Sequence, residues 1–394
     1  MSSSKKDNIY SPFIVFDIGS ASVGAALVVF NNDTNKINIL YDTRVFIAFQ
    51  DKLEDRYLTF AMISALKKVT ENIQDKGINR LSDERIKIKN IKDVFCILSS
   101  SWYEVQIKNL KFKEEKLFNI SSKFISAILD EESKKFTESR GKLIEKNVIQ
   151  ILLNGYNTNN PYGKEALTVD TTIFISSMSG EIQDRIKDIL ETVFTSSDVS
   201  FNTFALASFS VVRDIFKTEK NFLLLDISGE MTDIILVRNE TITKIASFKL
   251  GRNFLIRKTA SSLNTIVEEA HSLIRLFMDG KSKDTESEKI KVILNEAKGE
   301  WLSFLRKILS DFSEGFSLPK TVLLTVDTDM GRWFIDIIKN DEFSSHTLAE
   351  EPFTVVELSS RILNEYCTMP ESSTKGCDPF LALEALFVHK IANK

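Results

Sequence analysis

Glycine is scarce in this chain. There are 14 among 394 residues, about half the usual share of roughly 7%. Few positions therefore let the backbone turn tightly or approach a ligand closely. Cysteine is scarcer still. Cys96, Cys367 and Cys377 are odd in number and widely spaced, which gives neither a disulfide framework nor a metal-ligand pattern and suits a reducing cytoplasm. The three histidines, His271, His346 and His389, stand apart and are expected as surface or core residues rather than ligands. No stretch reaches the roughly 18 apolar residues that span a bilayer. The first eight residues are polar, so no signal peptide is expected. A net charge of −4 and a pI near 5.7 supply no electrostatic reason to bind nucleic acid.

What is present is a soluble globular composition, 43% hydrophobic and 27% charged, long enough for two to four compact units at roughly 100–200 residues each. Within it, one pattern occurs twice. Phe13-Ile-Val-Phe-Asp17-Ile-Gly19-Ser20-Ala21-Ser22 leads into Val23–Phe30, and Phe222-Leu-Leu-Leu-Asp226-Ile-Ser228-Gly229-Glu230 leads through Thr232-Asp233 into Ile234–Val237. Each reads as an apolar strand, an Asp-Ile pair, a tight turn and a second apolar strand, which is a β-hairpin. Two such hairpins facing each other can enclose a phosphate chain. Turn amides from Gly19 to Ser22 and from Ser228 to Glu230 would hold the oxygens, and Asp17 and Asp226 would hold a hydrated Mg²⁺.

The pair resembles the first and second phosphate motifs of the actin-like ATPase superfamily. The resemblance implies an α/β, two-lobed actin-like fold of duplicated ribonuclease-H-like domains. The segment between the hairpins is similar to the strand-helix-strand-strand insert of the bacterial FtsA and PilM proteins. It carries Asn160-Pro161-Tyr162-Gly163, close to FtsA's Asn-Pro-x-Gly turn, then a strand, a helix bearing Gln183 and an Ala205-Leu-Ala207 helix. The implied division is a first lobe at 10–90 and 195–218, an insert at 91–194 and a second lobe at 219–394, with helices over about 252–318. The implied ligands are ATP and Mg, with Thr232 and Gly251 also near the nucleotide. The implied function is a cytoplasmic scaffold, assembling with itself or with a membrane-protein partner in cell division or pilus assembly.

Apolar spacing predicts helices over Leu58–Ile73, Ser121–Glu138, Glu181–Phe194, Asn202–Phe216, Leu263–Phe277 and Ile290–Ile308. The Ser121 helix is charged and expected to face solvent. Residues 278–289 read as an exposed loop. The last helix, Pro379–Ile391, is apolar on more than one face, so it is expected to pack on a sheet rather than lie on lipid.

Three positions depart from the family. Glu230 puts a carboxylate where phosphate oxygens would lie, and like charges at close range repel. The strand Thr321–Val326 ends in Asp327 where the family has Thr-Gly-Gly beside the purine. Only Gly251 matches the family's Gly-Gly near the sugar. The fold is thus expected to persist with a partly degraded nucleotide site. Three readings remain open: an FtsA/PilM-type scaffold with bound nucleotide, an active ATPase of at most weak activity, and a nucleotide-free adaptor.

Overall fold

The computed structural model describes residues 12–31, 36–50, 53–83, 91, 93–195, 197–282, 284–314, 316–327, 329–340, 343, 347, 351–369 and 377–392. The amino-terminal segment and His346 lie outside them.

Three sheets organise the chain. The first contains β1 (Phe13–Ile18), β2 (Ser22–Asn31), β3 (Lys36–Phe46), β4 (Asp93–Leu98), β9 (Asp198–Thr203) and β15 (Cys367–Thr368), in the order β15-β3-β2-β1-β4-β9. Every residue of β1 is buried, as expected of a central strand covered on both faces. Ile14, Phe16 and Ile18 point to the core shared with α1 (Asp55–Asn72) and α4 (Gly180–Val193). Phe13 and Val15 point the other way, toward α5 (Phe204–Ile215) and α11 (Pro379–Ala392). The two-residue period of a strand puts Asp17 on that second face.

The second sheet repeats the plan. It has the order β12-β11-β10-β13-β14, from β10 (Phe222–Ile227), β11 (Thr232–Arg238), β12 (Thr241–Phe248), β13 (Thr321–Val326) and β14 (Thr354–Glu357). Leu223, Leu225 and Ile227 pack under α6 (Arg252–Leu263), α7 (Val267–Met278), α8 (Asp284–Ser313) and α9 (Gly331–Asn340). Phe222 and Leu224 join the core shared with α5 and α11, so Asp226 lies on the face turned to the first sheet. Helix α8 begins inside the segment read as a loop, and only 278–283 precede it.

The third sheet is the insert, with order β5-β8-β6-β7: β5 (Glu104–Asn119), β6 (Lys142–Leu153), β7 (Tyr156–Asn157) and β8 (Glu165–Met178). Helix α3 (Ser122–Thr137) crosses it. Its Ser121 cap accepts from Phe124 N. Ile125, Ile128 and Phe136 of α3 are buried while much of its charged side is exposed. Strand β4, expected in the insert, instead pairs with β1 in the first sheet, and α4 packs against that sheet too. The last helix is core, with Leu381, Ala382, Leu383, Ala385 and Val388 fully buried. Short elements α2 (Ile78–Asp83) and α10 (Ser360–Leu363), together with β14 and β15, were too brief for their periodicity to show.

Candidate functional site

The two hairpins face each other across the cleft between the lobes. Asp17, Gly19, Ser20, Ala21 and Ser22 line one small cavity together with Asp226, Ser228 and Gly229. The sequence pattern thus brought eight of its eleven site residues together. Glu230, Thr232 and Gly251 lie elsewhere.

The cavity holds a cation of the protein's own. Asp17 on β1 pairs with Gly24 on β2, and Gly24 pairs with Arg44 on β3. These three residues form a row across the sheet. Glycine leaves the middle of the row open, and the Arg44 guanidinium fills it. A Cβ on Gly24 would fall 2.9 Å from Arg44 Nη2 and 3.0 Å from Cζ. Arg44 Nη1 donates to Asp17 Oδ2 at 2.7 Å and to Ser22 Oγ at 2.8 Å, and Nε donates to Asp378 Oδ2 at 2.7 Å. The other oxygen of Asp378 accepts from the backbone N–H groups of Phe380 and Leu381, so Asp378 also caps α11. The Phe380 ring, 5.6 Å from that of Phe204, closes the cavity floor.

The two turns touch. Ser20 Oγ accepts from Glu230 N at 3.0 Å and lies 3.5 Å from Ser228 Oγ. A Cβ on Gly229 would fall 2.4 Å from Ala21 Cβ. The space left is about 30 Å³, room for roughly one water.

The second turn is sealed from behind. The first amides of α6, Arg252 N and Asn253 N, donate to the carbonyls of Ser228 and Gly229 at 2.9 and 2.8 Å. A helix N-terminus that could hold an anion is spent on the turn itself, and Gly251 serves that contact. Glu230 points into this second lobe, not at the cleft. It accepts from Asn253 Nδ2 at 2.7 Å and forms a two-pronged pair with Arg257. The expected clash of Glu230 with phosphate oxygens is therefore corrected: its charge is neutralised by α6. Thr232 also turns inward, donating to Leu250 O and accepting from Trp301 Nε1. At the end of β13, Asp327 pairs with Arg252 at 3.0 Å, and Asp329 pairs with Arg252 and with His271. His271, expected as a surface or core residue, joins this cluster with its ring Nε2 2.9 Å from Asp329 Oδ2.

Carboxyls crowd the cleft. Burial pushes Asp17 up to about 6, against the opposing pull of the Arg44 guanidinium. Burial also raises Asp226 well above its usual range, with Asp233 and Asp17 adding to it. Thr325 Oγ1 donates to Asp226 at 2.6 Å. Asp233 is raised to about 6, again by burial. Beneath them on α11, Glu384 is fully buried, neither carboxyl oxygen has a hydrogen-bond partner among the described residues, and burial pushes it well up.

Mg-ATP does not fit this arrangement. Asp17 already carries its counter-ion, Arg44 at 2.7 Å, and Asp226 accepts from Thr325 Oγ1 at 2.6 Å. A space of about 30 Å³ is an order of magnitude below the roughly 300–1,000 Å³ of ligand pockets. Sequence reasoning missed Arg44, Asp378, Phe204 and Phe380. Of these, only Arg44 left a trace, a cation on the strand after a glycine-containing one. It is legible once the hairpin register is known.

The three cysteines are free and buried, Cys367 on β15 and Cys377 before α11 in one core and Cys96 in another.

No protein-family model matches the chain, and no curated protein matches it. Among solved structures, the PilM-PilN type IV pilus biogenesis complex aligns over 96% of this chain and 98% of that one, with 13% identity and a TM-score of 0.63. The ethanolamine utilization protein EutJ from Carboxydothermus hydrogenoformans aligns over 96% and 89%, with 10% identity and a TM-score of 0.43. A Bacteroides thetaiotaomicron protein with actin-like ATPase fold and unknown function aligns over 98% and 99%, with 9% identity and a TM-score of 0.41. The chain has the mixed α/β, two-lobed actin-like fold.

Proposed function

We propose that this chain is a cytoplasmic adaptor on the actin-like fold that joins a membrane-protein partner and works without Mg-nucleotide between its lobes. One contrast carries the reading. The cleft between the lobes encloses about 30 Å³, whereas a groove of about 870 Å³ opens beside the insert. Its walls mix apolar Leu206, Phe209, Phe387 and Ile391 with polar Arg213 and Glu240, and its floor is β6 from Glu145 to Ile151. β6 pairs with β8 along one edge. On the other edge, among the described residues, Leu152 and Leu153 pair with β7 and Ile151 O accepts from Thr158 N. The occupant this edge suits is an extended peptide that adds as a strand and places some side chains on Leu206, Phe209 and Phe387 and others against polar Arg213 and Glu240. The likeness to a pilus biogenesis complex supports a partner of that class. Among the described residues no helix is long and apolar enough to cross a membrane. A role in division filaments keeps only the Asn160–Gly163 turn in its favour.

The test is a photo-crosslinking residue at Ile149 in the native cell, with one at exposed Val292 on α8 as the control. The expected product is a specific membrane protein joined at Ile149 alone, through a segment on its cytoplasmic side. Capture of a second copy of this chain would favour self-assembly instead. Separately, calorimetric titration with millimolar Mg-ATP is expected to give no binding heat. Micromolar affinity would restore the nucleotide-dependent scaffold.

A further inference from the structure

We propose that Arg213 is the specificity determinant of the groove beside the insert, where it takes an aspartate or glutamate side chain of the bound segment. This role rests on that groove being the partner site. Leu206, Phe209, Ser210 and Arg213 all line the groove and all belong to α5. At spacings of three, four and seven residues they share one face of the helix. Arg213 thus stands on the groove wall rather than behind it. Its guanidinium carbon lies over the Phe209 ring, 5.1 Å from the ring centre. The ring shields one face of the cation from water and leaves its N–H edge for a partner.

The state of its charge sets Arg213 apart. Four charged residues line the groove: Glu145, Lys146, Arg213 and Glu240. Glu145 is buried and accepts from Thr203 N at 3.0 Å and from Asn202 Nδ2 at 3.2 Å. Lys146 pairs with Asp130 of α3. Glu240 Oε1 lies 3.7 Å from Lys220 Nζ. Arg213 has only the neighbouring Asp214 near it, with Nε 4.0 Å from Oδ1. The other oxygen of Asp214 is held by Lys390 Nζ at 2.6 Å, so that carboxylate already has a closer cation. Among the described residues the Arg213 guanidinium donates no hydrogen bond. Its N–H groups form a planar fork that matches a carboxylate in a bidentate, charge-assisted pair. The side chain is 33% exposed, so the pair would form partly out of water, where it is worth more than on an open surface. An acidic residue of an extended occupant is thereby drawn to one place along the groove.

The test is selection of a phage library of random peptides on the purified full chain. The peptides are fused through their C-termini, so the displayed segment has no terminal carboxylate. Wild type is expected to enrich peptides with Asp or Glu at one fixed position. Synthetic copies with amidated C-termini should crosslink to a photoreactive residue at Ile149 and not at Val292, and should bind more weakly as salt rises. Arg213→Ala should weaken them by roughly tenfold or more, and Arg213→Lys should recover part of the loss. Arg213→Glu, selected afresh, should enrich Lys or Arg at the same position, which a merely structural defect would not produce. Peptides that crosslink at Ile149 without a fixed acid, or acidic peptides bound equally well by Arg213→Ala, would overturn the role of Arg213 and leave the groove as the partner site. Failure of wild type to select any peptide that crosslinks at Ile149 would overturn both.

Discussion

Gly24 and Arg44 are cross-strand partners, and the missing side chain of the first is the space that the guanidinium of the second occupies. Through that space Arg44 reaches Asp17 on the far side of the row. The prediction is that Gly24→Ala displaces Arg44. Overpacking of this kind costs about 1–3 kcal/mol. Combined with Arg44→Ala, the two losses should be less than additive by about 0.5–3 kcal/mol, measured as urea unfolding free energies. Strict additivity would mean that Gly24 matters for some reason other than room for Arg44.

Arg44→Ala should be costly by itself. It leaves Asp17 and Asp378 without their shared cation, and breaking a buried pair from one side costs about 3–5 kcal/mol. Arg44→Lys should recover only part of this, because a compact ammonium lacks the fork that spans two carboxylates and Ser22. Chemical denaturation of both variants decides. Full recovery by lysine would reduce the clamp to a point charge.

Glu230→Gly brings the second turn closer to the family's glycine-rich pattern, yet it should not create nucleotide affinity. Glu230 is bound to Asn253 and Arg257, so its removal leaves the buried Asn253 amide and the partly buried Arg257 guanidinium without their acceptor. The expected outcome is a loss of about 1–3 kcal/mol in stability, with no Mg-ATP heat by calorimetry. A gain in nucleotide affinity would show that the carboxylate, rather than the closed turns and Arg44, bars the ligand.

The raised carboxyl of Asp17 sets a direction for pH dependence. Its folded value, about 6, exceeds the 3.8 of an ordinary Asp, so the folded chain binds more protons than the unfolded chain between those values. Stability from this group is full below pH about 4, falls as pH rises to about 6, and is flat above; the span is about 3 kcal/mol. Asp233, also raised to about 6, acts in the same sense. Comparing urea midpoints at pH 5 and pH 7.5, Asp17→Asn should lose less stability between the two conditions than wild type. An identical difference in the two proteins would show that Asp17 titrates normally.

Glu384 occupies a core position with no hydrogen-bond partner for either oxygen among the described residues. Replacing an unpartnered buried carboxyl with an apolar group of similar length removes a desolvation cost of about 1–3 kcal/mol. Glu384→Met is therefore expected to raise the thermal midpoint at pH 7.5, with a smaller gain at pH 5, where the carboxyl is more readily protonated. A lowered midpoint at both pH values would place an unseen partner on this side chain.

Much of the candidate site was legible because its signals are local. Phe13–Ile18 and Phe222–Ile227 read as buried strands from composition alone, and the Asp-Ile pair before each turn located the facing hairpins. What the turns hold was not legible, because this depends on neighbours far away in the chain. Arg44 and Asp378 are 334 positions apart, and no spacing rule links them. Glu230 looked like a charge in the cleft until α6 brought Asn253 and Arg257 to it.

The sequence by itself determined the hairpin pair, the helices α1, α3, α4 and α5 to within a few residues, and the apolar last helix. Each follows from a period of 2 or 3.6 residues read over one short window. Only the tertiary structure decided that the two hairpin turns close on each other, that Arg44 stands beside Asp17, and that α6 takes up the Glu230 carboxylate. These are contacts between elements, fixed by strand register and by the return of the chain's end to the first lobe. Their energies depend on burial and charge pairing, which a linear pattern does not carry.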